Sequence, residues 1–235
     1  MITYILIGVA IILFIIMLIF SATAYKRFIV AYKKYSQHYT YCGYNGFALA
    51  NFMIQKFNLK TKICLTKQEL ADSYLINKNI VLLSENVAVS STIASVAITA
   101  HELSHAYQHK KKNFLFILSA VLSVVTRFAK YFLAPVFVTG IILLFFAEYN
   151  MTGQILLIIT ASVIILSYVL KLINIPVEFG ASKIAYNFLK DNEILNSDEL
   201  KLAKKMLRVA GQTYIASLFM GFVKFFKKVG NAFRS

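Results

Sequence analysis

Residues 93–109 read IASVAITAHELSHAYQH, and the reading of this stretch decides the fold. Ser90, Ser91 and Thr92 stand just before it and offer caps, so the pattern predicts one helix that runs through the histidines. His101 and His105 are four residues apart, which on a helix puts both imidazoles on one face, one turn apart, where they can grip a single metal ion. Glu102 follows the first histidine, and in this arrangement its carboxylate reaches the metal's open position and can take a proton from a bound water. Zinc lowers the pKa of such a water to near neutrality and polarises a peptide carbonyl, which together are the parts of a metalloprotease. With four histidines and ten acids in 235 residues, accidental HExxH matches are expected on the order of 0.001 times, so chance explains little. The small residues of IASVAITA also allow close packing beside a site.

A catalytic zinc needs a third protein ligand, and elimination narrows the choice. Downstream of the motif stand six acids and one histidine. His109 lies a further turn along the same helix, where it reaches the ion only if the helix breaks, and no glycine breaks it there. The metzincin spacing is absent. Glu148 falls in a loop between two apolar runs. Asp191, Glu193, Asp198 and Glu199 occupy a polar stretch suited to solvated or helix-capping roles. That leaves Glu178, an isolated carboxylate in INIPVEFGASKIAYNF at 173–188, on an apolar helix opening near Pro176. The competing reading pairs it with Lys171 or Lys183.

Composition bounds the rest. The chain is 59% apolar and only 15% charged, with a mean hydropathy of +0.67, well to the apolar side of an average globular chain. Its net charge of +15 comes from 25 basic and 10 acidic residues, and the bases flank apolar stretches rather than forming a nucleic-acid motif. The expectation is a lipid bilayer as partner and no nucleic acid.

Met1 to Tyr25 contains no charged side chain and reads as an uncleaved transmembrane anchor. Tyr131 to Phe146 and Ile155 to Leu170 read as a transmembrane hairpin. FLFILSAVLSVV at 114–125 is too short to span and reads as a re-entrant, membrane-surface or buried helix. Basic residues collect after the first anchor, at 110–130 and from Lys171 onward, which predicts a multi-pass cell-membrane protein with its catalytic region in the cytoplasm. Two crossings between His105 and Glu178 would return Glu178 to the histidines' side. The tail GFVKFFKKVGNAFRS is basic and amphipathic, fit for an anionic leaflet or for packing on the domain.

The expected organisation is therefore an anchor at 1–25, a zincin-like catalytic region at 26–130, a hairpin at 131–172, and a helical region at 173–235 with the third ligand and the tail. The fold class is α+β and mostly helical, an integral membrane zincin-like metalloprotease with about three transmembrane helices. Within it, 46–57 reads as a helix, and 60–66 and 79–84 read as strands. The strand around Ile80 to Leu83 would supply an edge for an extended peptide. SDEL at 197–200 opens a further helix, and a last one lies near 213–226. Cys42 and Cys64 form no metal or redox motif and read as reduced core residues.

Taken together, ADSYLINKNIVLLSENVAVSSTIASVAITAHELSHAYQH, the hairpin, IPVEFGASKIA and GQTYIAS resemble the YugP-like family of bacterial neutral zinc metallopeptidases, membrane proteins, over most of residues 40–220. The resemblance implies Zn2+ held by His101, His105 and Glu178, with Glu102 as general base. It also implies that Asp72 and Tyr214 stand at recurrent positions of the pattern, where Asp72 could orient a histidine ligand and Tyr214 donate to an oxyanion, while capping and packing are the favoured readings. Two positions depart from the family pattern: Gly180 stands where an acid is usual, and Ser104 where a glycine is usual. Serine at 104 should be tolerated on a helix.

The function expected is a membrane-anchored zinc endopeptidase acting on a polypeptide, including membrane or membrane-proximal proteins. Its rival is a catalytically silent zinc-binding scaffold, which would have no need of Glu102. A basic binding module would need neither histidine. The oligomeric state is not written in the sequence.

Overall fold

The structure is a computed structural model that describes Thr23 and residues 26–211. The expected anchor therefore lies outside the described residues apart from Thr23, as do Tyr214, the helix near 213–226 and the basic tail. Seven helices are described: α1 (26–35), α2 (Gly46–Lys56), α3 (Glu85–Val89), α4 (Ile93–Lys110), α5 (Phe114–Leu144), α6 (Asn150–Asp191) and α7 (197–211). Three strands, β1 (Lys62–Thr66), β2 (Ser73–Leu75) and β3 (Ile80–Ser84), form one mixed sheet in the order β1-β3-β2. β1 runs parallel to β3 and β2 antiparallel to it.

α4 is the central element. Thr92 caps it by accepting a hydrogen bond from the Ser95 amide at 3.3 Å, which satisfies one of the amides left free in a first turn. Its alanines at 94, 97, 100 and 106 are buried, and these small side chains let α2, α6 and the sheet approach on several sides. Leu49 and Met53 of α2, Val81 and Leu83 of β3, Leu103 of α4 and Leu189 of α6 share this core with no exposed surface. Each large apolar side chain buried this way contributes roughly 1.5–3 kcal/mol. Phe57 stacks on Tyr107 with centroids 4.2 Å apart and meets Phe188 edge-on at 5.0 Å, which pins the end of α2 between α4 and α6.

β3 is the middle strand, paired on both sides, so it offers no edge to a peptide, contrary to the sequence expectation. Strand order depends on long-range pairing, which the local pattern of 79–84 does not carry. The free edges belong to β1 and β2. Cys42 and Cys64 are free as expected, but Cys64 is exposed, because β1 is an edge strand with its side chains turned largely outward.

α5 and α6 pack as an antiparallel pair. A Cβ on Gly153 would sit 2.8 Å from the Gly140 carbonyl, so the two backbones touch where neither residue has a side chain. α6 continues through Pro176, where a new helix is expected, and α5 absorbs both 114–125 and Pro135. Apolar side chains including Phe132, Ile142, Phe146 and Ile158 stay exposed along the pair.

The mostly helical α+β expectation holds, but the membrane part of it is corrected. Among the described residues, no helix is long and apolar enough to cross a membrane. Each apolar run of the hairpin covers about 16 residues, roughly 24 Å of helix, against about 30 Å of hydrocarbon. This overturns the integral membrane fold with its transmembrane hairpin, and with it the multi-pass cell-membrane localisation. Glu178 returns to the histidines because α6 runs antiparallel to α5.

Candidate metal centre

His101 and His105 project from one face of α4, and Glu178 meets them from α6. All three are buried. Glu178 Oε2 lies 3.1 Å from His101 Nε2 and 3.5 Å from His105 Nε2, and the two Nε2 atoms are 3.3 Å apart. Glu178 thus meets the two imidazoles, as expected of the third ligand, rather than a lysine as in the competing reading.

The spacing suits a metal. A zinc ion at about 2.0–2.1 Å from nitrogen and oxygen donors in a tetrahedron separates its ligand atoms by about 3.3 Å. The three observed distances bracket that value, and among the described residues this is the one cluster of histidine, cysteine or acidic side chains with metal-binding spacing.

The opposite ring nitrogens are also engaged. His105 Nδ1 is 3.0 Å from Gln108 Oε1, and His101 Nδ1 is 3.3 Å from Ser182 Oγ. The His105 ring stacks on Phe116 of α5, with centroids 5.9 Å apart. Gln108 and Ser182 are the residues the sequence reading missed. The available signal was spacing, since Gln108 is three residues past His105 and Ser182 four past Glu178, each on its ligand's helical face.

Beside the ligands opens a cavity of about 120 Å3, bounded by His101, Glu102, Glu178 and Asp72 at its polar end. Phe28 of α1, Ala97 and Ile98 of α4, and Met206 and Leu207 of α7 give it apolar walls. Leu70, in the left-handed region at φ 55°, and Asp72 close one side in the segment just before β2.

Electrostatics follow from burial and from the carboxylate. Burial pushes His105 down, but hydrogen bonding and attraction to Glu178 outweigh it and raise its pKa to about 9. Burial alone would raise Glu178, yet the hydrogen bonds from His101 and His105 hold it at about 2. Glu102 is pushed up by burial, against the lowering effect of the two histidines. Asp72 is likewise raised by burial, against hydrogen bonds from Ser84.

Other residues fall elsewhere. Asp72 accepts from the Ser84 amide at 2.7 Å and from its hydroxyl, so it ties the start of β2 to the end of β3 rather than orienting a histidine. His109 Nδ1 meets the Tyr74 hydroxyl at 2.6 Å, away from the ligand cluster. Ser104 is tolerated as expected, its hydroxyl donating to the Ala100 carbonyl at 2.7 Å. Glu148 is exposed in the 3-10 turn between α5 and α6. Asp198 pairs with Lys201, and Glu199 accepts from the Tyr41 and Asn196 amides, the solvated and capping roles expected of that stretch.

A family model described as "Putative neutral zinc metallopeptidase" matches residues 10–232. Among curated proteins, the chain is 28% identical over 148 residues to "Putative membrane protease YugP" of Bacillus subtilis (strain 168). That match covers 63% of this chain and 62% of the relative, less than two thirds of the relative's length. No solved structure matches the chain.

Proposed function

The chain belongs to the neutral zinc metallopeptidase family, and on that premise we propose that it is a zinc-dependent endopeptidase in which His101, His105 and Glu178 hold the ion and Glu102 is the general base. The observation that carries this reading is the convergence of two Nε2 atoms and one carboxylate oxygen, buried, at 3.1–3.5 Å from one another. Bound zinc supplies a water acidified to near-neutral pKa and polarisation of the scissile carbonyl. The chain's own residues do the rest.

Glu102 borders the same cavity as His101 and Glu178, next to the ligands rather than among them. Its carboxylate accepts the proton of the attacking water and passes it to the departing amine. Its upward shift brings it closer to neutral pH than an ordinary carboxylate, which suits a group that must both take and return a proton. The apolar walls around Phe28, Ala97, Ile98, Met206 and Leu207 exclude water and receive an apolar side chain of the polypeptide substrate.

Metal content and cleavage of an unstructured polypeptide such as casein, measured on the wild type and Glu102→Gln, test the proposal. One zinc per chain in both, with cleavage reduced at least about 100-fold in Glu102→Gln, is the expected result. Cleavage that persists in Glu102→Gln removes the assigned base. A zinc-loaded wild type that cleaves no polypeptide in a broad panel makes the site a scaffold.

A further inference from the structure

Gln108 is buried and uses both ends of its amide. Its Nε2 donates to the Val177 carbonyl on α6 at 3.0 Å, and its Oε1 faces His105 Nδ1 on α4 at 3.0 Å. A carbonyl oxygen only accepts, so the amide nitrogen must be the atom that faces Val177. Oε1 is then the atom presented to His105, and only a protonated Nδ1 can bond to it. Whenever the ring is neutral its lone pair is then on Nε2, the nitrogen that faces Glu178 and His101.

The same amide joins the two ligand-bearing helices. Val177 is the residue before Glu178, so a hydrogen bond at its carbonyl fixes the α6 backbone next to the third ligand. Gly180 provides the room: a Cβ there would lie 3.0 Å from Gln108 Nε2, and a side chain tied at both ends yields only by stretching one of its bonds.

We propose that Gln108 is a positioning residue that sets the His105 tautomer and locks Glu178 of α6 into register with the α4 histidines, with Gly180 as its required neighbour. This rests on the zinc-site reading above. Partners of this kind ordinarily change metal affinity by 10–100-fold when lost.

The test uses the full chain as wild type, Gln108→Leu, Gln108→Glu and Gly180→Ala. Two readouts are taken: long-range 1H–15N correlations of the His105 ring in metal-free protein above pH 9, where the ring is neutral, and zinc affinity by competition with a chelating dye. Gln108→Leu should mix the His105 tautomers and weaken zinc by 10–100-fold. Gln108→Glu keeps an acceptor for Nδ1 but loses the donor to Val177, so it should retain the tautomer while still weakening zinc. Gly180→Ala should weaken zinc several-fold.

A His105 tautomer and zinc affinity unchanged in Gln108→Leu would overturn the proposal. So would a Gln108→Glu variant that mixes the His105 tautomers as Gln108→Leu does, since Gln108 would then only pin two helices. If Gln108→Leu does not fold, the Gln108→Glu and Gly180→Ala results decide alone. A wild type that fails to bind zinc defeats the metal-site reading, while the tautomer comparison in metal-free protein still judges Gln108.

Discussion

Glu178 Oε2 sits 3.1 Å from His101 Nε2, although 77 residues separate the two in sequence. The contact joins α4 to α6 across the length of the α5/α6 hairpin, and it makes one carboxylate both the proposed third ligand and the counter-charge of two buried imidazoles.

Replacing that carboxylate should therefore show itself twice. In Glu178→Gln the shape is kept but the negative charge is lost, so zinc should fall from one per chain to a small fraction. The metal-free variant should also melt earlier, because the buried His105, raised by Glu178, loses the carboxylate that bonds to it. Breaking such a pair costs about 3–5 kcal/mol. Metal analysis and thermal melts of chelator-treated protein check both; full zinc occupancy in Glu178→Gln would remove Glu178 from the ligand set.

The pH dependence of the metal-free protein follows from the same pair. His105 is raised from 6.5 to about 9, so its contribution to stability is complete below pH 6.5 and is lost as pH rises through about 9. Glu178 is lowered from 4.5 to about 2, so its contribution is present above pH 4.5 and is lost as pH falls through about 2. Glu102 and Asp72, raised by burial, also favour the folded state less as pH rises. Metal-free protein should be most stable between about pH 4.5 and 6.5 and weaken toward pH 9. Zinc displaces the His105 proton, so the affinity should climb about tenfold per pH unit up to about 9. Melts at pH 5, 7 and 9 with and without zinc check this; an identical alkaline loss in both forms would contradict it.

How much of this was legible in the sequence depends on how local each signal is. α4 was legible because its cap, its alanines and its paired histidines all lie within about 20 residues and agree with one another. Glu178 was legible because an unpaired carboxylate in an apolar helix must find a partner. Nonlocal features were not. β2 is three residues long and has no alternation to read, and the central place of β3 depends on pairing with β1 and β2, both of which precede it in the chain. Pro176 signals a helix start, yet α6 runs through it. Two apolar runs of about 16 residues look alike whether they face lipid or one another, and the contact of Gly140 with Gly153 is visible only once they are paired.

Glu199 offers a stability test away from the metal. It is buried, accepting from the Tyr41 amide at 2.7 Å and the Asn196 amide at 2.9 Å, while Asn196 Oδ1 accepts from the Glu199 amide in return. Glu199→Ala strands two amides and should cost about 2–3 kcal/mol, with Glu199→Gln costing less because one acceptor remains. Chemical denaturation measures the difference. Zinc stoichiometry should stay at the wild-type value in both, since Glu199 touches no ligand.

Ala97 separates substrate binding from metal binding. It lies four residues before His101 on α4, fully buried, in the wall of the cavity of about 120 Å3. Ala97→Leu adds three carbons to that wall, enough to take up a large part of the space proposed for an apolar substrate side chain. Overpacking of this kind costs about 1–3 kcal/mol, so a modest drop in melting temperature should accompany it. Zinc should remain at one per chain, because the substitution replaces no ligand and leaves the Gln108 amide in place. Cleavage should fall at least about tenfold, with the loss concentrated in KM and greatest for peptides carrying a bulky apolar residue at the scissile bond. If Ala97→Leu cleaves bulky and small-residue peptides with unchanged preference, this cavity is not where the substrate side chain goes.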